Sequence, residues 1–83
     1  MRISVRYFAS IREALGSGEA VDVESGATLA ALRDRLIAVG APHAQALARG
    51  RALRVALNQS LADESALLAD GDEVAFFPPV TGG

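Results

Sequence analysis

No cysteine occurs among the 83 residues, so whatever this chain folds into is held by one small apolar core without a disulfide staple. A domain of this size buries only about 60–65% of its unfolded surface, which leaves little margin for misplaced apolar residues. Half of the chain (51%) is hydrophobic and 22% is charged, the balance of a folded domain rather than a disordered tail. The missing cysteines also remove a thiolate nucleophile and any cysteine metal cluster, and the lone His43 cannot build the usual zinc sites. No bound metal or cofactor is expected.

Every basic residue is arginine, and the formal charge is −2. Phosphate backbones want a dense basic face, so nucleic acid is not an expected partner. Arg49, Arg51 and Arg54 form the one arginine cluster, expected on a solvated or partner-facing loop. No basic segment followed by an apolar run opens the chain, and no stretch approaches the ~20 apolar residues of a membrane helix. The expected compartment is the cytosol, with no membrane partner.

Periodicity organises the rest. Ile3, Val5 and Tyr7 alternate with Arg2, Ser4 and Arg6, which predicts a half-buried strand over residues 2–8. Ser10 followed by Glu13 fits a capping box for a short helix that Gly16 ends. Val21 and Val23 alternate with Asp22 and Glu24 in a second strand. Thr28 is placed to cap the main helix, with Leu29, Leu32, Leu36 and Val39 on its core face and Arg33, Asp34 and Arg35 opposite. Gly40 and Pro42 close it. His43, beside Pro42, is expected to be exposed and idle, and residues 43–51 leave room for one helical turn. Leu53, Val55 and Leu57 mark a third strand ending at Asn58-Gln59. A loop with Asp63 and Glu64 leads to the tight turn Asp70-Gly71-Asp72 and a last strand, Glu73 to Phe77. Its apolar character on both faces suits a central strand or an interface. The order predicts an α+β domain with one main helix on one face of a small mixed sheet.

The division expected is a domain over residues 1–77 and a tail over residues 78–83. Pro78 and Pro79 cannot donate ladder hydrogen bonds and favour an extended path. Val80 and Thr81 prefer extended backbone, while Gly82 and Gly83 carry no side chains. Six extended residues reach at most ~20 Å, enough to thread a narrow channel into another protein. The terminal group is a carboxylate, which needs activation by a partner before sulfur or nitrogen can attack it. Carboxylate pairs Asp63/Glu64 and Asp70/Asp72 sit where turn chemistry explains them, so a catalytic site of the chain's own is not expected.

The segment DGDEVAFFPPVTGG (Asp70–Gly83) resembles the ending of the small, sulfur-carrying subunits of molybdopterin synthase. RYFASIREALG (Arg6–Gly16) resembles their opening motif, and ALNQ (Ala56–Gln59) their mid-chain VNQ motif. The resemblance implies a β-grasp, ubiquitin-like fold. It implies that Gly83 is adenylated by an activating enzyme related to those of ubiquitin, which uses ATP, and is then converted to a thiocarboxylate with a sulfur donor system. The tail, Pro78 to Gly82, would enter the large synthase subunit and deliver sulfur to cyclic pyranopterin monophosphate, within a heterotetramer of two large and two small subunits. Phe77 would join the docking surface, whereas Phe76, sharing a face with Val74, is expected in the core. Alternatives are a carrier for thiazole synthesis, which also ends in Gly-Gly, a ubiquitin-like modifier, or an adaptor that only docks. Without lysine, such a modifier could not build lysine-linked polymers of itself.

Overall fold

The computed structural model describes residues 1–79. Strand β1 (Arg2–Tyr7) leads into helix α1 (Ala9–Leu15) and strand β2 (Gly18–Asp22). Helices α2 (Leu29–Ile37) and α3 (His43–Ala46) precede strands β3 (Arg54–Leu57), β4 (Ser60–Ala62) and β5 (Glu73–Phe77). The strands form one sheet in the order β2-β1-β5-β3-β4. Only the β1/β5 pair is parallel; the other three are antiparallel. This mixed five-stranded sheet, grasping α2 across one face, is the β-grasp arrangement. No helix among the described residues is long and apolar enough to cross a membrane.

Alternation decides which face is covered. Ile3, Val5, Tyr7, Val55, Val74 and Phe76 point to the helix side, where they pack with Ile11, Leu29, Leu32, Leu36 and Leu47 in one core. Strand β1 reads exposed, buried, exposed, buried along its whole length. Central β5 buries Val74 and Phe76 completely and leaves Glu73, Ala75 and Phe77 half-buried. Helix α2 starts as its sequence predicts, with Thr28 Oγ1 accepting the Ala31 N–H at 3.1 Å.

Several expectations need correction. Ser10 does not cap α1: the N-cap is Phe8, whose carbonyl accepts from Ile11 and Arg12 (3.2 and 3.3 Å). The strand runs straight into the helix, so the cap falls two residues earlier and Ala9 turns the corner at φ 54°. Val39 lies beyond the end of α2 and is 56% exposed. Arg33, expected on the solvent side, is only 4% exposed. The segment after Asn58-Gln59 is not loop throughout. Asn58 and Gln59 take φ of 50° and 72°, the left-handed pair of a type I′ turn, and the chain returns as β4 with Leu57 opposite Ser60.

Asn58 also ties this hairpin to the sheet centre. Its Nδ2 donates to Asp72 (3.0 Å) and its Oδ1 accepts the Glu73 N–H (2.9 Å). Asp72 in turn accepts the Ala69 N–H at 2.8 Å. We expect Asn58→Gly, which keeps the turn and loses these bonds, to cost about 1 kcal/mol in urea unfolding. Asn58→Ala adds the strain of a left-handed alanine, about 1 kcal/mol more. Equal losses for the two would exclude the strain contribution.

Candidate functional site

The helices leave the other face of the sheet uncovered. Cross-strand register sets Arg54 opposite Phe77, Ala56 opposite Ala75, and Leu61 opposite Ala56. Arg6 aligns with Ala75 on the other side of β5. Phe8 lies one step beyond Tyr7, and its N–H donates to the Phe76 carbonyl at 3.2 Å. The result is an apolar strip, Phe8, Phe77, Ala75, Ala56 and Leu61, open to solvent at its ends: Phe8 is 40% and Leu61 68% exposed. The Arg6 guanidinium stands 5.8 Å from the Phe8 ring centroid, within cation–π range.

Strand β5 puts its two phenylalanines to different uses. Phe76 points inward and stacks on Tyr7, with centroids 6.4 Å apart and planes at 23°. Phe77 points outward at the last position of the strand. Pro78 and Pro79 follow, half-buried and outside the sheet. Val80, Thr81, Gly82 and Gly83 lie outside the described residues. The open face therefore surrounds the point where the tail leaves the domain.

Sequence reasoning identified Phe77 and missed Phe8, Leu61 and the two arginines beside them. For Phe8 the signal was present: it is an apolar residue out of phase, on the polar side of the alternation that Arg2, Ser4 and Arg6 define. Leu61 carried no such signal, because a three-residue strand is too short to display a period.

On the helix side, His43 is neither exposed nor idle. Its Nε2 lies 2.7 Å from Glu19 Oε2, the oxygen that also accepts the Tyr7 hydroxyl at 2.7 Å. The Tyr7 and His43 rings meet edge-on at 6.5 Å, and His43 Nδ1 is buried without a hydrogen bond. Burial and Glu19 push the Tyr7 hydroxyl far above its usual value, so it remains a donor. Burial works to raise Glu19, but hydrogen bonds from His43 and Tyr7 outweigh it and hold the carboxyl below its ordinary range. A carboxylate lowered in this way stabilises the fold above its ordinary value near 4.3 and loses that contribution as pH falls through the lowered one. Glu19→Gln should therefore flatten the loss of stability as pH falls below the ordinary glutamate value of about 4.3. An unchanged profile in acid unfolding would exclude this role for Glu19.

The comparisons with known proteins agree with one another. Residues 5–83 match the sequence profile of the ThiS family. The chain is 44% identical over 82 residues to the molybdopterin synthase sulfur carrier subunit of Haemophilus influenzae, covering 98% of this chain and 99% of that one. It is 44% identical over 81 residues to the same-named subunit of Escherichia coli, at 98% and 99% coverage. Among solved structures, SAMP1 from Haloferax volcanii superposes with a TM-score of 0.79 at 31% identity, covering all of both chains. Subunit 1 in the Helicobacter pylori complex of molybdopterin-converting factor subunits 1 and 2 gives 0.69 at 29%, again over both whole chains.

Proposed function

The chain belongs to the ThiS family, among relatives named as molybdopterin synthase sulfur carrier subunits, and we propose that it carries sulfur on its C-terminal carboxylate for molybdopterin synthesis. The observation that carries this reading is the 44% identity to those named carriers across almost the whole chain. The geometry is compatible with the chemistry: the tail leaves from the central strand, beside an uncovered apolar face. A carrier needs a rigid handle, a docking surface and an unhindered terminus, and it needs no catalytic side chain of its own.

In this proposal a Gly83 carboxylate oxygen attacks the α-phosphorus of ATP in the activating enzyme and pyrophosphate leaves. Sulfide-level sulfur from the donor system attacks the acyl carbon and AMP leaves, giving the thiocarboxylate. The charged tail, Pro78 to Gly83, then enters the large subunit, and its sulfur bonds to a carbon of cyclic pyranopterin monophosphate as the oxygen on that carbon leaves. Water cleaves the acyl–sulfur bond and returns the carboxylate. Two such deliveries supply the two sulfurs of the dithiolene, and Phe77 helps hold the domain at the entrance.

The test is an intact-mass measurement after incubation with the cognate activating enzyme, ATP and a sulfur source. The expected gain is the difference between one sulfur and one oxygen, confined to the terminal peptide. A terminus that remains a carboxylate, where a sulfur carrier subunit from Escherichia coli is charged by its own enzyme, would sink the proposal. The likeness to SAMP1, a small archaeal modifier protein, favours one second reading, attachment of Gly83 to amines of other proteins. That reading predicts branched peptides ending in Gly-Gly on lysines of cellular proteins.

A further inference from the structure

Charge is distributed unevenly along the open face. Arg54 lies opposite Phe77 and Arg6 opposite Ala75, one on each strand that neighbours β5, and the Arg6 guanidinium stands by the Phe8 ring. At the other end of β5, about 13 Å away at ~3.3 Å per residue, lie Glu73 and the turn carboxylates Asp70 and Asp72. The chain is acidic overall, with a formal charge of −2, so the basic end is a local departure from the net charge. Neither arginine is held by a side-chain hydrogen bond among the described residues. Arg6 has a side chain 54% exposed and makes one loose ion pair, to Glu73 at 3.8 Å, of a kind worth little at the surface. Arg54 is exposed and makes no ion pair among the described residues. By contrast, Arg33 and Arg49 are both tied into ion pairs with Glu64.

From this arrangement we infer that Arg6 and Arg54, one on each side of β5, form a cationic collar along the last residues before the tail. The large-subunit surface that admits the tail therefore presents an acidic rim to it. The inference rests on the carrier reading and adds the chemistry of the partner's surface. Physically the collar does what apolar contact cannot. The strip from Phe8 to Leu61 supplies contact area without direction, whereas positive charge on both sides of β5, at Ala75 and Phe77, and carboxylates beyond Glu73 orient the domain. Complementary charge acts mostly on the association rate and on register. A tail that must enter a channel end-on gains most from this, because a domain docked in reverse points its terminus away from the entrance.

The experiment measures the association rate with the cognate large subunit from about 20 mM to about 300 mM salt, where screening lengths shorten severalfold. The wild-type rate should fall steeply as salt rises. Arg6→Glu with Arg54→Glu should associate at least ~10-fold more slowly at low salt, with the salt dependence flattened or inverted. Arg35→Glu with Arg51→Glu changes net charge equally, on the helix side of the sheet, and should stay within about threefold of wild type. Arg6→Gln with Arg54→Gln removes charge without reversing it and should give a smaller loss in the same direction. Thermal unfolding of each variant verifies that the fold is kept. Salt-independent wild-type association, or equal slowing by both charge reversals, overturns the collar while leaving the carrier reading intact. Failure of the wild-type chain to bind the large subunit at all overturns both.

Discussion

A chain lacking Gly83 should bind its large-subunit partner with affinity within about threefold of wild type and transfer no sulfur. The two halves of this expectation have separate physical sources. Docking area belongs to the open face, where Phe8, Phe77, Ala75, Ala56 and Leu61 line up across four strands or their extensions. None of that surface lies in the last residue. Transfer depends on where the acyl carbon stops, and each extended residue contributes ~3.3 Å of reach. Reacting atoms must approach to about 3–3.5 Å, so a deficit of one residue is as large as the contact distance itself. Adding a residue beyond Gly83 should be as damaging, since the new terminus overshoots and carries a side chain into a passage otherwise entered by glycine. Titration calorimetry reads the docking, and a single-turnover assay with pre-charged protein reads the transfer. Sulfur transfer by the shortened chain within tenfold of wild type would rule out a terminus-borne sulfur. A tenfold or larger loss of docking would assign anchoring to the terminus itself.

What could be read from the sequence follows the distance between interacting residues. Strand β1, helix α2 and strand β5 were legible because their signals are local: alternation in RISVRY, leucines three and four apart, an N-cap at Thr28, a glycine and then a proline after the helix. The inward turn of Phe76 followed from its parity with Val74. Features set by partners far along the chain were not legible. His43 meets Glu19 across 24 positions and Arg33 meets Glu64 across 31. Periodicity places Arg33 on the solvent side, since a helical wheel counts a charged residue as polar regardless of what it finds, and the place of His43 beside Pro42 suggests an exposed loop. Strand β4 belongs to the same group. It exists because Asn58 and Gln59 both accept left-handed backbone, and three residues carry no pattern of their own. The docking face was half legible: the paired phenylalanines pointed to it, but its breadth depends on a sheet order, β2-β1-β5-β3-β4, that brings the first and last strands together.

Replacing Arg33 with alanine should destabilise the fold by about 3 kcal/mol, a larger effect than most charged positions allow. The side chain is almost wholly buried, and its contacts are mainly to backbone. Its Nε donates to the Leu47 carbonyl at 2.8 Å, and one terminal nitrogen donates to those of Ala48 (2.6 Å) and Arg51 (3.3 Å). The other terminal nitrogen reaches Glu64 at 2.7 Å. Truncation strands carbonyls at the end of α3, where each lost partner costs roughly 1–3 kcal/mol if water cannot replace it. Glu64 is spared the full penalty of an unpaired charge, because Arg49 also binds it and it keeps contact with solvent. Arg33→Met fills most of the volume and isolates the hydrogen-bond loss, so it should recover no more than about 1 kcal/mol. Domains of this length have a total stability of roughly 4–12 kcal/mol, and the midpoint should drop by about 12–24 °C. The functional consequence is the informative part. The pinned loop lies on the helix side and shares no residue with the strip from Phe8 to Leu61, so the surviving folded fraction should dock with unchanged affinity. A loss below 1 kcal/mol in urea unfolding would show that water satisfies those carbonyls. Weakened docking by fully folded protein would place the loop in the partner's footprint.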